Sequence, residues 1–167
     1  MGFMGVGKTK VGAILAKQLH FGFVDTDDVI IRNAGMPISE IFEKFGEPHF
    51  RQLETEAIRQ VSSVSRQIIA LGGGAVMKAE NREMITQSGV TVALSYPPEI
   101  IFDRVTRNNK RPLLHAGSRE EQMQKIVAMM KQRSSTYQKA DVVLHFNCEV
   151  PAENVALAIQ SYLGVFD

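Results

Sequence analysis

The chain has 167 residues, 44% apolar and 22% charged, with six prolines and 13 glycines: enough for one hydrophobic core and too apolar for disorder. Nineteen Lys and Arg against eighteen Asp and Glu leave a formal charge of +1, which excludes an overall footprint for nucleic acid or membrane, so any anion site is local. The single cysteine, Cys148, excludes an internal disulfide, no run approaches the roughly 18 apolar residues of a membrane span, and no signal-peptide pattern is visible; a cytoplasmic monomer is expected.

Short apolar runs alternate with segments of helical period, the pattern of an α/β domain spanning 1–167. Residues 8–20 place Val11, Ile14, Leu15 and Leu19 on one helical face, and 21–25 read as a strand. Two helices follow at 38–45 and 48–64, the second with Phe50, Leu53, Ala57 and Val61 on one stripe. A buried strand at 67–71 is stopped by Gly72, Gly73 and Gly74. Residues 81–87 predict a helix, 90–95 a strand, and 97–106 a helix behind two prolines. The stretch 108–117 has no clear period and exceeds the usual connection of about 4 to 6 residues. From Glu120 onward Met123, Ile126, Val127, Met130 and Tyr137 restore a helical stripe, 142–146 is a last strand and 152–163 a closing helix.

Gly2, Gly5, Gly7, Lys8 and Thr9 spell G-x-x-x-x-G-K-T, a phosphate-binding loop opening into the first helix. Its backbone, Val6 included, is expected to turn N–H groups onto ATP phosphates, with Lys8 at the β and γ phosphates and the Thr9 hydroxyl on Mg²⁺. The motif normally follows a buried strand, and here only Met1 precedes it. The sequence therefore predicts a sheet whose first, central strand is missing or lies upstream, and an N-terminally extended form that is more soluble and active.

An N-K-x-D guanine motif is absent, since Asn109 and Lys110 run into Arg111, which argues against a GTPase. The acid must come from Asp25-Thr26-Asp27 at the exit of the 21–25 strand. In an extended stretch both carboxylates point one way, so one can hold hydrated Mg²⁺ while the other faces an acceptor hydroxyl; a helix cap is the ordinary alternative. Arg104, Arg107, Lys110 and Arg111 carry no acid between them, so a loop at 108–118 can close over the phosphates and deliver positive charge.

G-F-M-G-V-G-K-T, D-T-D at Asp25 to Asp27, F-R-x-x-E at Phe50 to Glu54, the glycine triplet, R-P-L-L at Arg111 to Leu114 and R-x-x-x-Y at Arg133 to Tyr137 together resemble the shikimate kinase family. The resemblance implies a three-layer nucleoside-monophosphate-kinase-like fold, a parallel five-stranded sheet flanked by helices. It also implies transfer of the ATP γ-phosphoryl group to the 3-hydroxyl of shikimate. It places shikimate against Asp27, Arg51, Gly72, Gly73, Gly74 and Arg133, with an acceptor region at about 26–64. Thr9 and Asp25 would serve Mg²⁺, Arg111 would be the lid arginine, and Arg104 would stack on adenine opposite 147–151. Lys8, Asp27 and Arg111 are thus the expected catalytic residues. Guanidinium pairs suit a carboxylate acceptor, which a gluconate kinase, the alternative enzyme, would not need on a ring. A ligand-binding protein without catalysis is the reading from a different class.

Overall fold

The computed structural model describes residues 1–107 and 118–164. Among these, β1 (Gly22–Asp25), β2 (Gln67–Ala70), β3 (Val92–Ser95) and β4 (Val142–His145) alternate with α1 (Lys8–Gln18), α2 (Thr26–Ala34), α3 (Ile38–Ser62), α4 (Ala79–Ser88), α5 (Pro98–Thr106), α6 (Arg119–Tyr137) and α7 (Ala152–Leu163). The strands pair in parallel, β1 with β2 from Gly22↔Gln67 to Asp25↔Ala70 and β3 with β4 from Val92↔Val142 to Ser95↔His145. Parallel pairing requires crossovers, and the helices supply them.

Where the resemblance implies five strands, the described residues hold four, in two separate pairs. Between them lies a groove of about 210 Å³, walled by β2 on one side and by Val92 and Leu94 on the other, with Val11 and Leu15 of α1 also lining it. Met1 and Gly2 hold one edge of this groove. The Met1 amine donates to the Val92 carbonyl, the Leu94 N–H donates to the Met1 carbonyl at 3.0 Å, and Gly2 bridges Leu94 in parallel. The chain thus enters the phosphate loop from a single parallel bridge beside β3.

Three apolar clusters follow from the helical stripes. One joins Val11 and Leu15 of α1 to Leu94, Ile101, Ile126 and Ile159; a second packs Val29 and Ile30 of α2 on Ile41, Phe50 and Val61 of α3; a third gathers Ile58, Leu71, Val76 and Ile85. The two helices expected at 38–45 and 48–64 follow one another within α3, separated by a kink at Gly46 with φ 76° and ψ 174°. The α6 stripe differs from expectation: Ile126 is buried, whereas Val127 lies 43% exposed on the outer face. A capping box starts that helix, with the Ser118 hydroxyl accepting from Glu121 N–H at 3.2 Å and the Glu121 carboxylate accepting from Ser118 N–H at 2.7 Å.

Candidate active site

The phosphate loop runs from Gly2 to Gly7, where α1 begins. Val6 presents only its backbone, because its side chain is buried in the core. Lys8 Nζ arches back over the loop, donating to the Gly2 and Phe3 carbonyls at 2.9 and 3.0 Å. The first-turn N–H groups of α1, the helix dipole and one ammonium therefore converge at the loop mouth, a site for anionic phosphate. Thr9, one residue on, donates its hydroxyl to Asp25 Oδ2 at 2.7 Å.

That contact brings Asp25 to the loop, as the sequence predicts, but by a different route. Asp25 and Asp27 do not share an extended stretch. Asp25 ends β1 and caps α2, its Oδ1 accepting the Asp27 N–H at 3.0 Å, and Asp27 stands in the first helical turn. An Asp cap satisfies an otherwise orphaned helix donor, which explains why the chain turns helical at once. Thr26 between them is fully buried and accepts the Gly72 N–H on its hydroxyl at 2.9 Å. This fixes the start of α2 to the glycine triplet. No sequence signal marked Thr26, since Thr at a helix start has many ordinary uses.

The triplet is gripped from both sides. A methyl group on Gly72 would come within 2.8 Å of Asp27 Oδ1 and 3.0 Å of Glu54 Oε1, and one on Gly74 within 2.5 Å of Arg51 Nη1. Arg51, in the second half of α3, donates to Glu54 at 2.9 Å and, through two nitrogens, to Glu47 at 2.8 and 3.1 Å. Burial alone would lower the Arg51 pKa, but these two carboxylates raise it, so its charge is secure. Glu54 is 2% exposed; burial pushes its carboxyl above the usual range, and Asp27 adds to the rise while Arg51 and Arg133 oppose it. From α6, Arg133 Nη1 donates to the Gly73 carbonyl at 3.4 Å with its guanidinium 5.7 Å from the Phe3 ring. Asp27, Arg51, Glu54, the triplet and Arg133 are thus brought together beside the phosphate loop.

On the other side of the loop Arg104 lies over the Tyr96 ring at 4.2 Å, donates to the Gly5 carbonyl at 3.3 Å and pairs with Glu149 at 3.2 Å. It therefore links the loop to the 147–151 segment expected to border adenine. Glu149 and Tyr96 gave no individual signal in the sequence. Arg111 and the remainder of the expected lid, residues 108–117, lie outside the described residues.

A phosphate loop entering a helix, a carboxylate and hydroxyl at its base, and a neighbouring cluster of guanidinium and carboxylate groups in an α/β fold define a P-loop phosphotransferase acting on a small anionic acceptor. The family profile described as "SKI: Shikimate kinase" matches residues 4–163. The shikimate kinase of Thermodesulfovibrio yellowstonii is 41% identical over 162 residues, covering 97% of this chain and 92% of that protein. The structure of shikimate kinase from Acinetobacter baumannii in complex with shikimate superposes with a TM-score of 0.88 at 37% identity, covering 98% of this chain and 90% of that one. This chain belongs to the shikimate kinase family, whose activity is ATP-dependent phosphorylation. A gluconokinase from Sinorhizobium meliloti, at 14% identity and a TM-score of 0.56, shares the fold alone.

Proposed function

We propose that the protein transfers the γ-phosphoryl group of ATP to the 3-hydroxyl of shikimate, with Arg51 and Arg133 clamping the carboxylate and Asp27 aligning the hydroxyl. The observation that carries this reading is the glycine triplet held between two arginines from different helices, with Asp27 at its base. Two planar guanidinium groups match one carboxylate, and Gly72 to Gly74 let a ring approach the backbone closely.

Residues for Mg²⁺ fit the ion. Thr9 Oγ1 and Asp25 Oδ2 are hard oxygen donors already 2.7 Å apart, and Mg²⁺ typically takes one or two carboxylates together with substrate phosphates and water. When bound, it supplies charge neutralisation on the phosphate oxygens. The protein's own part is positioning and electrostatics. Lys8 leaves the Gly2 and Phe3 carbonyls for the phosphates, and Arg111 from the 108–118 lid adds charge and excludes water. As the acceptor oxygen bonds to phosphorus, the bond to the ADP oxygen breaks and the hydroxyl proton passes to the Asp27 carboxylate. Asp27 is an ordinarily weak base, so alignment outweighs abstraction. Arg104, held on Tyr96, borders the adenine with 147–151.

One kinase domain with an acceptor region at about 26–64, acting as a cytoplasmic monomer, completes the proposal. The lone Cys148 suits a reducing compartment, and no helix among the described residues is long and apolar enough to cross a membrane. Asp27→Asn is expected to abolish ADP release while ATP binding, measured by calorimetry, survives; near-normal turnover would refute the assignment. Shikimate, gluconate and nucleoside monophosphates compared in the same coupled assay test the acceptor, and shikimate binding without ADP release would favour a non-catalytic protein.

A further inference from the structure

Tyr137, the last residue of α6, donates its hydroxyl to the Gly73 carbonyl at 2.6 Å across 64 residues of sequence. Arg133, one turn earlier, reaches the same oxygen at 3.4 Å, near the outer limit of a hydrogen bond. The tyrosine body packs against two of the apolar clusters, that of Leu94 and Ile126 and that of Ile58 and Val76, so the hydroxyl is delivered from a fixed ring. Burial pushes the phenol above its usual range against the pull of Arg133, and it therefore remains a donor at neutral pH.

We propose that Tyr137 is a positioning residue of the acceptor site: its hydroxyl keeps the Gly73 carbonyl bonded, so that Arg133 can leave that oxygen for the acceptor carboxylate. The inference rests on the acceptor reading given above and deepens it. Leaving a partly buried carbonyl without its partner is unfavourable, and without Tyr137 that penalty would fall on Arg133 each time it turned to the substrate. The same bond fixes the peptide plane between Gly73 and Gly74, whose N–H points opposite to the carbonyl and hence away from α6.

The test is Tyr137→Phe, which removes one oxygen and keeps the ring. The expected result is a shikimate KM raised about five- to tenfold, with the ATP KM within about twofold of the unsubstituted protein. Placed on Arg133→Ala, the same change is expected to add little to shikimate binding, because the two residues act through one oxygen. A shikimate KM within about twofold of the parent, equal rises in both KM values, or full additivity with Arg133→Ala would each overturn the proposal. Loss of folding in Tyr137→Phe would assign the residue a structural role only and overturn it as well. Failure of the unsubstituted protein to phosphorylate shikimate would instead refute the acceptor reading, and this inference with it.

Discussion

A carboxyl that is 2% exposed, bonded to Arg51 at 2.9 Å and close enough to Asp27 to feel its charge makes Glu54 costly to ionise. Its folded pKa lies above the ordinary 4.5, so the folded state binds this proton more tightly than the unfolded chain. The resulting stability is fully present below about 4.5 and is lost as pH rises through the raised folded value. Glu54→Gln, neutral at every pH, is therefore expected to gain melting temperature relative to the parent as pH rises above about 4.5. Calorimetry across that range checks it, and a constant offset would contradict it. The same substitution removes one charged partner of Arg51, so the shikimate KM should rise about three- to tenfold, equivalent to roughly 1 kcal/mol. A strained carboxylate is here the cost of holding a guanidinium in place.

The bend in α3 shows how an element sets such a contact. Gly46, at φ 76° and ψ 174°, occupies a backbone region open almost only to glycine, and the turn it makes aims the helix carrying Glu47, Arg51 and Glu54 at the triplet. Gly46→Ala is expected to destabilise the protein by about 1 to 3 kcal/mol, read as a lower midpoint in urea unfolding. An unchanged midpoint would show that the bend relaxes freely. The sequence read this element as two helices, 38–45 and 48–64, the second legible from its stripe of Phe50, Leu53, Ala57 and Val61. By contrast α2 was hidden, because D-T-D after an apolar run reads equally as a polar strand exit, and only the Asp25 cap resolves it. Eight contiguous residues made the phosphate loop readable, since its chemistry is local. The acceptor site was legible only through resemblance: Asp27, Arg51, Gly73 and Arg133 are drawn together by crossovers, and nothing local marks Thr26 or Tyr137 as bonded to the triplet, or Glu149 as the partner of Arg104.

Across the whole molecule the groove between β2 and β3 divides the strands into two pairs. The two strand pairs also sit in different cooperative territories. Val24 and Ile69 pack with α2 and α3, while Leu94 and Leu144 pack with α5, α6 and α7, and among the described residues α1, with Tyr137 bonded to Gly73, rather than a backbone ladder joins the two sides. Sides joined this way are expected to differ in amide-exchange protection, and uniform protection factors would contradict it. Arg51 belongs to one half and Arg133 to the other, so an acceptor bound between them ties two unfolding units into one.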